Sequence, residues 1–397
     1  MGGATPSPRP HSSRFSVAAV LLVVIVVLAA ILYALVSFTP MGNSPTAGIA
    51  CRAPDPSVSD PAAPHGLFVL NPPTNPRQPF FNDTNEFLVN NSDVCGADFW
   101  VHWSTVDSGP GAHPQYNWSS VDDEIAPWAA AGKEVNLIFQ TVGYGPNQTW
   151  IPGYVLPQIQ TLQCGDSPLT PLFWEPAYVS LYQTYIRAAV AHFESNPAIG
   201  YLRFGLGTGG EAFPLYGLQD SACDAALNAT GFTVANWSAY LVSMLDFEHS
   251  LDSPLQLMVA LNGVFPGIPD SVPATVAARA AALGIGFGSE GLEASQVHDN
   301  ATGAPDCAGG GTCKLFAEYA GEVPLEYQTY SASQPNGSGP TGSLAVFLPW
   351  AVGVHCQIFE LYLEDWLTAF DPTYPTYAQY HLAYSSALGS AAGVVDR

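Results

Sequence analysis

Residues 97–143, ADFWVHWSTVDSGPGAHPQYNWSSVDDEIAPWAAAGKEVNLIFQTVG, contain a complete strand–helix–strand pattern. Two runs rich in apolar and aromatic residues, ADFWVHWSTVD and EVNLIFQTVG, have the length and the flanking turn residues of buried strands. Between them, VDDEIAPWAAAG has the apolar spacing of a helix. This order of elements is typical of a parallel α/β architecture.

Similar runs recur along the chain. Eight predicted strands lie at 66–73, 97–107, 134–143, 199–211, 255–264, 284–291, 323–331 and 356–366. Predicted helices lie between most of them, at 121–132, 175–195, 234–251 and 271–284, and a last helix follows at 376–393. Eight such units predict a TIM (β/α)8 barrel. An open doubly wound sheet more often carries a phosphate-binding GxGxxG motif, and none follows the first strand here.

The amino-terminal part of the chain has a different character. FSVAAVLLVVIVVLAAILYALVSF (15–38) has 24 residues without a charge, enough at about 1.5 Å per residue to cross the roughly 30 Å hydrocarbon layer. Arg9 and Arg14 precede it and no basic residue follows until Arg52, which predicts that the chain beyond the helix lies outside the cell. The predicted organisation is a cytoplasmic tail (1–14), a transmembrane anchor (15–38), a linker (39–60) and one (β/α)8 domain (61–397). A long cleaved signal peptide, which would release a secreted protein, is the alternative.

Charge and cysteine content agree with an exported protein. The chain has 33 Asp and Glu against 10 Lys and Arg, and such an acidic surface excludes nucleic acid as a partner. Sequons for N-glycosylation occur at Asn82, Asn90, Asn117, Asn147, Asn228, Asn236, Asn300 and Asn336. The seven cysteines lack metal-like spacing and predict disulfides, among them Cys164 with Cys223 and Cys307 with Cys313, with one thiol left over. No metal or other cofactor is predicted.

Two glutamates stand where a barrel carries its functional residues, near the carboxyl ends of strands. Glu211 closes FGLGTGGE on the fourth predicted strand, and Glu326 lies in PLEYQTY on the seventh. Neither has an adjacent cation, and a carboxylate in apolar surroundings needs a functional role or a structural hydrogen bond to offset its desolvation. Two such glutamates, on the fourth and seventh predicted strands, indicate a functional site rather than two separate structural hydrogen bonds.

A longer stretch resembles a known family. FWVHWSTVDSGPGAHPQYNWSSVDDEIAPWAAAGKEVNLIF (99–139) resembles the second βαβ unit of the clan A (β/α)8 glycoside hydrolases. The matching positions are Trp103, Gly111, Tyr116, Trp118, Ser119, Asp122, Gly132, Lys133 and Val135. The resemblance extends from about residue 66 to 366 and implies that Glu211 is the acid/base and Glu326 the nucleophile. Most of the clan has Asn before the acid/base, where this chain has Gly210. GLGTGGEAFP is similar to the Gly-x-x-Gly-Glu loop of the β-amylases, whose catalytic pair inverts.

Aromatic and polar residues near the predicted strand ends are candidates for sugar binding. They are His102, Trp103, Gln140, Asn262, Glu290, Tyr327, Gln328 and Trp366. His102 and Trp103 are adjacent, so only one of them faces the barrel interior. Trp366 matches the tryptophan that forms the floor of the reacting-sugar subsite in the clan, and Glu290 is a second candidate nucleophile.

The sequence therefore predicts an extracytoplasmic glycoside hydrolase at the cell membrane that acts on an oligo- or polysaccharide by a retaining double displacement. An inverting enzyme with the same glutamate pair and a non-catalytic cell-surface carbohydrate-binding barrel are the alternatives.

Overall fold

The computed structural model of the chain describes residues 65–74, 77–79, 81–83, 87–109, 115–215, 220–261, 268–294, 297 and 311–395. Its main sheet has eight strands: β1 (Gly66–Leu70), β2 (Gly96–His102), β3 (Glu134–Gln140), β4 (Ile199–Phe204), β5 (Gln256–Ala260), β6 (Gly286–Leu292), β7 (Leu325–Thr329) and β8 (Ile358–Tyr362). All pair in parallel with their neighbours in sequence, and β8 pairs with β1 to close a barrel. Each strand overlaps one predicted segment, so the predicted TIM barrel is confirmed.

Helices surround the barrel. They are α1 (Ser119–Ala130), α2 (Pro176–Phe193), α3 (Ser221–Ala229), α4 (Val234–His249), α5 (Ser271–Ala282), α6 (Gly311–Tyr319), α7 (Leu344–Gly353), α8 (Leu363–Phe370) and α9 (Tyr377–Val395). Short helical turns occur at Phe81–Asp83, Trp103–Val106, Leu156–Gln158 and Thr208–Gly210, and a small antiparallel hairpin pairs Thr161–Leu162 with Thr170–Pro171. All five predicted helices are present, as α1, α2, α4, α5 and α9.

The barrel interior changes from apolar to polar along its axis. Phe68, Cys95, Tyr201, Met258 and Ile358 form a small cluster near the amino-terminal ends of the strands. Alternate residues of the strands face outward and join the helices in one continuous apolar core. Beyond the inner cluster, toward the carboxyl ends of the strands, the interior is lined by ionisable side chains, among them Arg203, Glu326 and Glu360.

A disulfide between Cys164 and Cys223 confirms the predicted pairing and joins the β3–α2 connection to α3. Leu215 and Leu227 pack in the same small apolar cluster, so the disulfide braces the segment that follows β4. Cys95 and Cys313 each take part in a further disulfide. Cys356 is a buried free thiol. The proposed partner of Cys313, Cys307, lies outside the described residues.

The predicted tail (1–14), anchor (15–38) and linker (39–60) lie outside the described residues. All described residues belong to one compact unit, Ile49–Arg397. None of the helices in the described ranges is long and apolar enough to cross a membrane.

A carboxyl-rich candidate active site

Glu211 follows β4 on a glycine-rich turn at the carboxyl end of the barrel. Gly209 and Gly210 have φ angles of 75° and 87°, which lie in the left-handed region that glycine adopts without strain. A β-carbon on Gly209 would lie 2.1 Å from the hydroxyl of Tyr144, so the turn also needs glycine for space. Glu211 itself forms a bridge with Ala260, the last residue of β5, and is 7% exposed. The sequence GTGGE thus places one carboxyl group over the barrel mouth.

Two side chains contact the Glu211 carboxyl group. The hydroxyl of Tyr144 donates a hydrogen bond to its Oε1, and the carboxyl group of Glu290, from β6, is hydrogen-bonded to it as well. Burial and the neighbouring Glu290 raise the pKa of Glu211 well above its ordinary value. These shifts favour the protonated form of Glu211, which is the form that a general acid needs.

Arg203, on β4, is fully buried among carboxylates. Its Nη1 lies 2.6 Å from Oε2 of Glu326 and 3.2 Å from Oε1 of Glu360, and its Nη2 lies 2.9 Å from Oε1 of Glu290. Nη2 also donates to Oε1 of Gln328 at 3.2 Å. The guanidinium thus connects glutamates from β6, β7 and β8 inside the barrel.

One guanidinium cannot neutralise three buried carboxylates, so the cluster holds protons at neutral pH. Burial raises the pKa of Glu290 to about 7 although Arg203 opposes the shift. Burial and the nearby Glu360 raise the pKa of Glu326 well above its ordinary value, again against Arg203. Burial likewise raises the pKa of Glu360. The carboxyl groups are consequently coupled, and a proton that leaves one of them changes the pKa of the others.

Polar side chains on β2, β3 and β4 form hydrogen bonds next to this cluster and to Glu360 within it. The hydroxyl of Tyr201 donates to Oε1 of Glu360 and, at 3.3 Å, to Oδ1 of Asp98. Asn136 donates to the same Oδ1 at 2.7 Å. Burial and Glu360 raise the pKa of Asp98 well above its ordinary value. These contacts hold Glu360 in position. Glu360 in turn contacts Arg203, which binds Glu290 and Glu326.

Several predicted site residues lie together at this end of the barrel. Glu211, Glu290, Glu326 and Gln328 belong to the carboxyl cluster or contact Arg203. Gln140 donates from Nε2 to the carbonyl of Gly209 at 3.1 Å. His102 stacks on Trp150 with ring centroids 3.7 Å apart, and burial lowers the pKa of His102 to about 4, which keeps the imidazole neutral.

Three predicted sugar-binding residues lie outside this group of contacts and are buried. Trp103 begins the helical turn after β2, stacks on Tyr185 and donates from Nε1 to Asp107 at 3.1 Å. Tyr327 faces outward from β7 against Phe316. Trp366 lies in α8, because β8 ends at Tyr362, and it has no exposed surface. Asn262 lies outside the described residues.

Sequence reasoning missed Arg203 and Tyr201 as site residues, and it missed the contact of Tyr144 with Glu211. Arg203 left a signal, since it is the only lysine or arginine in the eight predicted strands, and a buried cation needs anionic partners. The contacts of Tyr144 and Tyr201 join distant parts of the chain and leave no local pattern. Across the described residues, no group of three or more His, Cys, Asp or Glu side chains is arranged to hold a metal ion.

The fold is similar to those of solved carbohydrate-active enzymes. The catalytic domain of the β-amylase from Paenibacillus polymyxa superposes with a TM-score of 0.52 at 11% identity, over 81% of this chain and 98% of that one. A β-galactosidase from the psychrophilic Marinomonas ef1 gives 0.48 at 13% identity, over 82% of this chain and 59% of that one. An endo-β-1,4-xylanase from Gloeophyllum trabeum gives 0.42 at 14% identity, over 76% and 85%. No protein-family model and no curated protein matches the sequence. At these identities the likeness to the β-amylase domain concerns the barrel fold.

Proposed function

We propose that this chain is a glycoside hydrolase in which Glu211 is the general acid. The observation that carries the proposal is the buried carboxyl group of Glu211 at the carboxyl end of the barrel, which contacts Tyr144 and Glu290, together with the glutamates that Arg203 binds beside it. Glycosidic cleavage needs this combination of an acid for the leaving oxygen and a carboxylate for the anomeric carbon.

Of the three glutamates that contact Arg203, Glu290 and Glu326 are the candidates for the second role. Glu290 is hydrogen-bonded to Glu211. Two carboxyl groups in such contact are closer together than the carboxyl groups of a retaining pair, which are about 5–5.5 Å apart because the anomeric carbon lies between them. Glu326 lies on the next strand, and its Oε1 has no hydrogen-bond partner among the described residues. We therefore assign the second role to Glu326.

In the first step, an oxygen of Glu326 attacks the anomeric carbon while the bond from that carbon to the leaving oxygen breaks and Glu211 gives its proton to that oxygen. In the second step, Glu211 takes a proton from water, whose oxygen attacks the same carbon and displaces Glu326. Burial raises the pKa of Glu326, and Arg203 opposes that shift, so in this mechanism Arg203 favours the carboxylate form of Glu326 as nucleophile and as leaving group. In an inverting enzyme, which we keep as the alternative, Glu326 would instead activate water for a single displacement.

Leaving-group dependence tests the role of Glu211. The Glu211→Ala variant should lose about 10²–10⁴-fold in kcat/KM on unactivated oligosaccharides but far less on dinitrophenyl glycosides, whose leaving group needs no acid. Because a neighbour in fold is a β-amylase, α-glucans are the first substrates to test, together with β-galactosides and xylans. Glu318→Gln, on the exposed face of α6, is the matched control and should behave as the wild type. Equal losses on both substrate classes would contradict the assignment of Glu211.

A carbohydrate-binding barrel without hydrolysis is the second candidate, and the burial of Glu326 favours it. The side chain of Glu326 has no exposed surface, so hydrolysis requires side chains around it to move when the sugar binds. Calorimetric binding of an oligosaccharide that stays intact over days would support the binding barrel.

We further propose that the barrel lies outside the cell, held by the predicted anchor at 15–38. The Cys164–Cys223 disulfide supports this location, because disulfides persist in oxidising compartments. The sequon asparagines in the described ranges are all exposed: Asn82, Asn90, Asn117, Asn147, Asn228, Asn236 and Asn336. Protease added to intact cells should remove the barrel from an anchored protein. Full protection of the barrel would contradict the proposed orientation.

A further inference from the structure

Glu290 is a third carboxyl group in a site that needs two. It lies on β6, its side chain is 6% exposed, and its Oε1 accepts from Nη2 of Arg203 at 2.9 Å. It also shares a hydrogen bond with Glu211. Backbone pairing with β5 and β7 also holds β6 in the barrel, and the position of Glu290 between Arg203 and Glu211 indicates a further role.

The hydrogen bond between Glu211 and Glu290 requires a proton, because two carboxylates only accept. The hydroxyl of Tyr144 donates to Oε1 of Glu211, so a proton on Glu211 resides on the other oxygen. Arg203 is ion-paired with Glu290, whereas Glu211 forms no ion pair within the described residues. The cation therefore favours the charge on Glu290 and the proton on Glu211.

We propose that Glu290 is a positioning residue that holds the catalytic proton on Glu211 until the leaving oxygen accepts it. The inference rests on the proposed function of Glu211. When Glu211 gives its proton to the leaving oxygen, two carboxylates face each other. Their repulsion makes Glu211 a stronger base for the proton of the attacking water, so Glu290 assists both steps. No atom of Glu290 bonds to the sugar.

Two variants should move the alkaline limb of the pH profile of kcat/KM in opposite directions. Glu290→Gln removes the neighbouring charge and offers an amide donor to ionised Glu211, so the limb should shift down by about one to two pH units. Tyr144→Phe removes the hydrogen bond that favours ionised Glu211, so the limb should shift up. Glu290→Asp keeps the charge and should restore most of the wild-type profile. A structural role would lower kcat without this opposed pair of shifts.

A second readout separates this inference from the proposed function. The carboxyl carbon of Glu211 can be titrated by ¹³C NMR in glutamate-labelled full-length protein and assigned by its loss in Glu211→Gln. We expect its pKa to fall in Glu290→Gln and to rise in Tyr144→Phe, whether or not a substrate has been found. If the protein hydrolyses a glycoside but the pKa of Glu211 is the same in these variants as in the wild type, only the role of Glu290 is overturned. The expected titration without any hydrolysis would overturn the proposed function and leave the shared proton in place.

Discussion

Nη1 of Arg203 lies 2.6 Å from Oε2 of Glu326, and neither side chain has any exposed surface. The same guanidinium contacts Glu290 and Glu360. Among these buried carboxyl groups, the guanidinium of Arg203 favours the charged form of the ones it contacts. Both the proposed chemistry and the stability of the fold depend on it.

Removal of Arg203 should therefore be costly. Arg203→Met leaves three buried carboxylates without a cation, and we expect a loss of about 3–5 kcal/mol in the free energy of unfolding. Arg279→Met is the matched control, because Arg279 pairs with Asp246 at an exposed site, where the loss should stay below about 1 kcal/mol. Urea denaturation at pH 7 measures both. Similar losses for the two variants would mean that the buried cluster does not depend on Arg203.

Glu248, on α4, should make stability depend on pH. It is 1% exposed, neither of its carboxyl oxygens has a hydrogen-bond partner among the described residues, and burial raises its pKa well above the ordinary value. The folded protein thus keeps a proton that the unfolded chain releases above about pH 4.3. The resulting stability is present at low pH and is lost as the pH rises toward the folded pKa.

Glu248→Gln removes this dependence. Compared with the wild type, the variant should gain about 1.4 kcal/mol in the free energy of unfolding for each pH unit above 4.3, up to the folded pKa. Denaturation at pH 4 and at pH 7 gives the difference. A gain of the same size at both values would indicate a packing effect rather than a titrating group.

Gly209 should matter for activity more than for stability. In Gly209→Ala, the new β-carbon meets the Tyr144 hydroxyl at 2.1 Å and should displace it from Glu211. We expect kcat/KM to fall by about tenfold or more, because one misplaced contact at a catalytic group has this effect. Gly231→Ala is the control, since Gly231 also has a positive φ but no atom near a new β-carbon. If both variants lost activity equally, Tyr144 would have no part in placing Glu211.

Reduction of the Cys164–Cys223 disulfide should loosen the segment that carries Glu211. Its cysteines are 59 residues apart, and such a cross-link contributes about 2–4 kcal/mol. Cys223→Ser should lose that amount and should also lower kcat/KM, because Leu215 packs in the same cluster. Unchanged activity in a folded Cys223→Ser protein would show that the braced segment keeps its shape without the cross-link.

The barrel was predictable because the apolar residues of its strands recur with a different period, and over shorter segments, than those of most of its helices. α7, LAVFLPWAVG, was missed because it is apolar on every side and contains Pro349. α8 was missed because it follows β8 directly. In the sequence, the strand and the first turn of the helix form one uninterrupted segment to Trp366, which was predicted as a single strand.

The site was predictable only in part. The glycine turn identifies the position of Glu211, and the alternation of β7 places Glu326 and Gln328 on one face. The same alternation places Tyr327 on the other face, which packs against Phe316. The hydrogen bond between Glu211 and Glu290 joins the turn after β4 to β6, which is distant in sequence, so no local pattern could reveal it.

The most direct test of the central claim is covalent labelling of the wild-type protein with a cyclitol epoxide, followed by mass spectrometry of its peptides. The account predicts one ester, on Glu326, that forms slowly or not at all in Glu211→Gln, because Glu211 must protonate the epoxide oxygen. An ester on Glu290 would contradict the assignment of both glutamates, and an unlabelled protein that still binds the intact sugar would contradict retaining hydrolysis.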